Sequence, residues 1–226
     1  MLDTSTNSLL DLNNKNLPKF NIIKPQYDRS KLTPGIVHIG VGNFHRAHLS
    51  WYLHRLMQKN KDLDWGIIGS GVLDYDHQMQ QKLKKQDFLT TLIELDPDGN
   101  KNCEIVGPMI DYAPVEKNNL SLINAMSDSR IRIVSLTVTE GGYFLDGESG
   151  ELDFINPDII NDINNPNSPT TVFGAIVNAL NIRKNNGYGP ITCLSCDNLI
   201  KNGDKLKQAV IGIAKNTNKD LSDWIL

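Results

Sequence analysis

Cysteine is scarce in this chain. Three in 226 residues are too few for a disulfide framework, so a reducing cytoplasm is the expected setting. Long apolar runs are missing too: none approaches the ~20 residues needed to cross a bilayer. Met1 to Phe20 is polar and Asn-rich, without the basic stretch and apolar core of a signal peptide. Positive charge is not in excess either. The net charge is -3, whereas a nucleic-acid surface needs clustered Lys and Arg. The one basic cluster, Lys82, Lys84 and Lys85, reads as the wet face of a helix. No internal repeat or low-complexity block is visible. These absences speak against nucleic-acid and membrane partners.

Cys193 and Cys196 form a C-x-x-C, the spacing of some zinc and redox sites. They fall in Ile191-Thr-Cys-Leu-Ser-Cys, which reads as a buried strand. Side chains alternate along a strand, so two cysteines three apart point to opposite faces and cannot converge on one ion. No second Cys/His pair stands at metal spacing, and core packing is the preferred reading.

What is present is ordinary in amount and organised in pattern. The chain is 39% hydrophobic and 22% charged, enough for one sizeable α/β domain or two small ones. Residues 1 to about 30, with Pro18 and Pro25, read as an extended arm. Ile36-Val-His-Ile is a short buried strand ending at Gly40. A helix follows, with Leu49, Tyr52, Leu53, Leu56 and Met57 spaced along one apolar face. Trp65-Gly-Ile-Ile-Gly is a second strand, and a helix is predicted from about Tyr75 to Lys85 with Asp74 as N-cap. Phe88 to Leu95 and Cys103 to Val106, joined by the turn Asp96-Pro-Asp-Gly-Asn, predict an inserted antiparallel hairpin.

Further helices are predicted around Lys117 to Met126, after Pro157, from Thr170 to Arg183 and from about Asp204 to Ala214. Strands are predicted at Ile131 to Val138 and at Ile191. Strands alternating with helices imply parallel strands joined by crossovers, hence a doubly wound sheet. Such sheets bind ligands beyond the carboxyl ends of their strands. Three segments therefore become the candidate site: Gly40-Val-Gly-Asn-Phe-His, Thr139-Glu-Gly-Gly-Tyr and Ser195-Cys-Asp-Asn.

Gly40-Val41-Gly42 lies where a dinucleotide fold needs a tight turn and a backbone that can approach a pyrophosphate. His45 stands in place of the third glycine of G-x-G-x-x-G, so the plain motif is incomplete. Asp74 and Asp76 are candidates for the acid that meets a cofactor ribose, although both lie beyond the usual ~20-residue distance. On spacing alone, helix capping explains them equally well. Glu140 leaves the best strand into a Gly-Gly turn, as a pocket-shaping or proton-relaying acid or as a plain loop residue. Asn198, with an amide donor and a carbonyl acceptor, can polarise a carbonyl or hold an alkoxide. His45, Arg46 and His48 open the first helix, but no third ligand completes a metal site.

Together, Ile39-Gly-Val-Gly-Asn-Phe-His-Arg-Ala-His48, Thr137-Val-Thr-Glu-Gly-Gly-Tyr143 and Ser195-Cys-Asp-Asn-Leu-Ile-Lys-Asn-Gly203 resemble the polyol-specific long-chain dehydrogenases, the mannitol type most closely. The likeness spans most of residues 17 to 226. It implies a Rossmann-type domain over 31–226 and a metal-independent, NAD-linked interconversion of a polyol and a ketose of the mannitol/fructose kind. It also implies that Gly40, Val41, Gly42, Asn43, Phe44, His45 and Arg46 form the pyrophosphate turn. By the same resemblance Asp76 reads the ribose, Glu140 sits near the nicotinamide, and Asn198 helps hold the alkoxide. The family's general base is a lysine in a K-x5-N-x2-H motif of a helical C-terminal domain, and no such motif occurs here. The expectation is a cofactor-binding half whose catalytic partner domain lies outside this chain. The alternatives are a non-catalytic dinucleotide-binding remnant, one part of a split enzyme, or a uronate reductase of the same family.

Overall fold

The computed structural model describes residues 12–17, 22–59, 61–73, 76–146 and 149–226. Its centre is a five-stranded sheet in the order β5-β2-β1-β6-β7, with every neighbouring pair parallel. The strands are β1 (Pro34–Ile39), β2 (Gly66–Ser70), β5 (Met109–Ala113), β6 (Ile133–Leu136) and β7 (Thr192–Ser195). β1 is buried along its whole length because helices cover both faces. Val37 and Ile39 point into the larger core with Val134, Leu136, Phe173 and Ile176, and Ile36 points into a smaller one with Ile67, Leu83 and Met109.

The chain winds outward from β1 through β2 to β5, then returns past β1 to β6 and continues to β7. The reversal lies between β1 and β6, and a crevice opens there at the carboxyl ends. The helices are α1 (Asn43–Ala47), α2 (Leu49–Met57), α3 (Asp76–Lys85), α4 (Leu120–Ser127), α5 (Pro157–Asn164), α6 (Val172–Asn185), α7 (Asn202–Thr217) and α8 (Lys219–Ile225). The doubly wound architecture predicted from the alternation is the one observed.

The hairpin is present as β3 (Thr90–Leu95) and β4 (Lys101–Val106), paired antiparallel in a sheet of their own. A buried polar group fastens it to the domain. Glu104 Oε2 accepts from Trp51 Nε1 at 2.8 Å and lies 3.3 Å from Arg55, and Oε1 lies 3.2 Å from His54 Nε2. The other ring nitrogen of His54 hydrogen-bonds the Tyr27 hydroxyl at 2.8 Å, which also ties down the segment before β1. That segment is packed rather than merely draped: Tyr27 is buried, and Arg29 donates to the carbonyls of Asp87, Gly107 and Met109. Most of the predicted arm before it lies outside the described residues.

Several boundaries differ from the sequence reading. The strand β5 was not predicted, because Met-Ile-Asp-Tyr-Ala places an acid mid-strand. An edge position tolerates it, since Asp111 lies exposed there. The first helix breaks at His48 (φ -119°, ψ -90°) into α1 and α2. The buried face of α2 is Ser50, His54 and Met57, while Tyr52 turns to solvent. The strand predicted over 131–138 shortens to β6, and α8 follows α7 with Asn218 as its N-cap. Asp74 and Tyr75 lie outside the described residues. The segment holding Cys193 is an edge strand rather than a buried one, with Thr192 and Leu194 exposed. Cys193 packs against the core, where burial pushes its thiol up to about 11. All three cysteines are free thiols.

Candidate functional site

The crevice at the β1/β6 reversal is a cleft of about 740 Å3, within the range of small-molecule sites. One wall is the β1–α1 turn, with Gly40, Val41, Gly42, Asn43 and Arg46. Behind it stands Asp76 with Val72 and Met79, and across from it lie Thr137, Thr139, Gly141 and Gly142. The far side is Asp158, Thr170 and Thr171 at the α5–α6 corner.

The two glycines of the turn have different physical reasons. Gly40 sits at φ +92°, and a Cβ there would lie 2.1 Å from the Thr137 carbonyl oxygen, so no side chain fits. Gly42 has ordinary dihedrals (φ -93°, ψ -171°), and a Cβ there would meet nothing closer than 3.9 Å. The fold leaves Gly42 room for a side chain, and the open space faces the cleft. Gly42 is also the N-cap of α1 and gives the first-turn amides no side-chain acceptor. A bare backbone beside an open cleft suits a pyrophosphate. Arg46 folds back over the turn, donating to the carbonyl of Gly42 at 3.2 Å and to the side chain of Asn43.

Asp76 is the first residue of α3, and its Oδ2 accepts from the amides of Val72 (2.7 Å) and Leu73 (3.0 Å). Capping and ribose recognition are therefore compatible: one oxygen holds the β2–α3 loop while the residue lines the cleft. The cleft thus has the two features a dinucleotide needs, a glycine turn and an acid at the start of the helix that follows the neighbouring strand.

Not every candidate residue lines the cleft. Phe44 is 53% exposed and stacks on His48 at 4.8 Å, on the outer surface. His45 is buried behind the turn, its ring 3.6 Å from that of His38. Glu140 and Asn198 are exposed and outside the lining, although Thr139 and Gly141 on either side of Glu140 belong to it. Among the described residues no group of three or more His, Cys, Asp or Glu could hold a metal ion, and no helix is long and apolar enough to cross a membrane.

Sequence reasoning singled out Asn198 and passed over Asp197 beside it. Asp197 joins two of the three strand ends: its carboxylate accepts from the amides of Thr139 (2.9 Å) and Val138 (3.2 Å) and from the Tyr143 hydroxyl (2.9 Å). Thr139 is held at φ +66°, a conformation that costs a β-branched residue roughly 1–3 kcal/mol. Tyr143 also hydrogen-bonds Ser195 at 2.6 Å, and burial raises its pKa. A second carboxylate, Asp162, is fully buried and accepts from the amides and hydroxyls of both Thr170 and Thr171. It fixes the far wall of the cleft, and its only sequence signal was the Thr pair opening α6.

Comparison with known proteins agrees with this geometry. Residues 34–226 match the family model described as the mannitol dehydrogenase Rossmann domain. Mannitol 2-dehydrogenase of Cereibacter sphaeroides is 51% identical over 205 residues, covering 91% of this chain and 43% of that one. A polyol:NADP oxidoreductase of Gluconobacter oxydans is 38% identical, over 93% of this chain and 43% of its own. The solved ternary complex of Pseudomonas fluorescens mannitol 2-dehydrogenase with NAD and D-mannitol superimposes with a TM-score of 0.88 at 39% identity, covering 95% of this chain and 44% of that one. The chain thus spans less than half the length of the relatives it matches. A doubly wound sheet, a bare glycine turn at its reversal point and a family match running from β1 to Leu226 together place the chain in the mannitol dehydrogenase family, as its Rossmann domain.

Proposed function

We propose that this chain is the cofactor-binding part of an NAD-dependent oxidoreductase that interconverts a polyol and a ketose, of the mannitol/fructose kind. The observation that carries the proposal is the cleft itself, with Gly40 and Gly42 on one wall and Asp76 at the start of α3, beyond the loop that follows β2. Gly40, Val41, Gly42, Asn43 and Arg46 would lie along the pyrophosphate. Asp76 would accept from the ribose hydroxyls and repel a 2'-phosphate, which favours NAD over NADP. When bound, the nicotinamide supplies the hydride acceptor. The chain's own residues hold it, and the strained Thr139 with Gly141 and Gly142 shape the wall across from the turn.

Glu140 and Asn198 are assigned roles beside the reacting carbon, as pocket acid and alkoxide donor. Both are exposed and lie in the segments that follow β6 and β7, where a second domain closing over the cleft would meet them. The general-base lysine is assigned to that second domain. Loss of a general base costs about 10²–10⁴-fold, so the 226-residue chain alone should show negligible turnover.

The test is a calorimetric titration of this chain with NAD and, separately, NADP, together with an assay for mannitol-dependent NADH formation. The expected outcome is NAD binding with a Kd between about 1 μM and 1 mM, about tenfold weaker for Asp76→Ala, and no measurable turnover. Preference for NADP, an unchanged Kd in Asp76→Ala, or turnover at the rate of a complete enzyme would each contradict the corresponding part.

A further inference from the structure

The floor of the cleft contains polar groups that the fold does not require. β1 and β6 are central strands built mostly of Ile, Val and Leu, yet His38 and Ser135 face each other across them in register, both fully buried. Apolar residues of similar size would fill that space without the cost of burying two polar side chains, and a third, the half-buried Thr137, joins them from the cleft lining. All three converge on one atom or on each other. The carbonyl oxygen of Gly40 accepts from the amide of Gly42 at 2.7 Å and from Thr137 Oγ1 at 2.7 Å, and His38 Nε2 lies 3.2 Å away. Thr137 Oγ1 is also 3.3 Å from His38 Nε2, and His38 Nδ1 is 2.8 Å from Ser135 Oγ. Of these three contacts on the carbonyl, the two at 2.7 Å are the short ones and the one from His38 is the longest. One tautomer satisfies the remainder: the Ser135 hydroxyl donates to Nδ1, which leaves the proton on Nε2, aimed at the Gly40 carbonyl. The His45 ring lies parallel to the His38 ring (3.6 Å, 13°) and closes its other face.

We propose that Thr137 and His38 are positioning residues that lock the Gly40–Gly42 turn in the shape that receives a dinucleotide, acting through the Gly40 carbonyl. The proposal rests on the cofactor reading above. It gives the turn a mechanical property that the glycines alone do not have. Gly40 permits the conformation, and the bond from Thr137 holds it, joining the two strands that diverge at the reversal point. Neither residue meets the reacting atoms. Both act on the backbone that would meet the phosphates.

The test uses Thr137→Val, which keeps the shape and removes the hydroxyl, and Thr137→Ser, which keeps the hydroxyl. Two quantities are read: exchange of the Gly42 amide hydrogen in the free protein, and the Kd for NAD. Losing one such hydrogen bond should speed Gly42 exchange and weaken NAD binding by about five- to tenfold in Thr137→Val, with Thr137→Ser within about threefold of wild type on both. Thermal melts confirm that each variant is folded. A Thr137→Val protein with wild-type exchange and Kd, whatever its melting temperature, would overturn the proposal and leave Thr137 a structural residue. Faster exchange with unchanged NAD affinity would overturn the link to the ligand. If the wild-type chain binds neither NAD nor NADP, the cofactor reading fails separately, and the exchange comparison alone still decides whether the hydroxyl locks the turn.

Discussion

Gly40 and Gly42 stand two residues apart in one turn and answer to different demands, which makes them separable by mutation. Gly40→Ala forces a Cβ to 2.1 Å from a backbone oxygen at φ +92°. It should destabilise the fold by at least about 2 kcal/mol. Gly42→Ala meets no clash and should melt within about 2 °C of wild type, yet weaken NAD binding about tenfold or more by filling the phosphate approach. Thermal melts and titrations of the two variants check this, and equal effects on stability would contradict it. The buried histidines carry a second prediction. Burial pushes His38 down to about 4 and holds His45 well below the ordinary range, with His38 and Arg46 adding to the effect on His45. In the unfolded chain both titrate near 6.5. Between pH 6.5 and about 4 the unfolded state therefore binds more protons, and stability falls as pH falls through that window. His38 alone contributes a loss of roughly 3 kcal/mol by pH 4. Denaturant unfolding at several pH values should show a shallower decline for His38→Gln than for wild type, and parallel declines would contradict the assignment. At this scale the sequence was informative where a residue type is demanded by local geometry, as at Gly40. It was silent where the partner lies across the sheet. The bond from Thr139 to Asp197 spans 58 residues, and nothing local distinguishes Asp197 from Asn198 beside it.

The elements that were legible are those with long or strongly alternating patterns. The hairpin announced itself through its Asp-Pro-Asp-Gly-Asn turn, and α6 through its run of Val172, Phe173, Ile176, Val177 and Leu180, all of them buried. β5 was missed because a short edge strand need not look hydrophobic. The break between α1 and α2 was missed because no Gly or Pro marks it. His54 was overlooked because a helix face was read from apolar residues only, while the face of α2 buries a polar side chain partnered by Glu104 and Tyr27. That group makes a prediction at the level of elements. Glu104→Ala removes the acceptor of Trp51 and the partner of the half-exposed Arg55 and of His54, whose pKa burial lowers, so it should cost about 2–3 kcal/mol. Because the contacts join β4 to α2, hydrogen exchange should rise in the hairpin and in α2 before it rises in β1. A loss below about 1 kcal/mol, or uniform loosening of the sheet, would show that the hairpin is held by its apolar contacts instead.

For the whole molecule, the order β5-β2-β1-β6-β7 is what turns a set of scattered motifs into one place. Gly40, Asp76 and Thr139 are separated by dozens of residues and meet because their strands end on the same edge, on either side of the reversal. The alternation of strands and helices made that edge readable from sequence, and the motif likeness named the family. What the alternation does not carry is the depth of the cleft or the residues that wall it from below and behind, such as Thr137 and Asp162. The central claim is that a dinucleotide occupies this cleft. The most direct measurement is an amide chemical-shift map of the 226-residue chain during titration with NAD. The account predicts shifts concentrated at Gly40 to Arg46, at Val72, Leu73 and Asp76, and at Thr137 to Gly142, with β7 to α8 unaffected away from the Asp197 contact. Shifts centred elsewhere, or none at millimolar NAD from a folded sample, would contradict it.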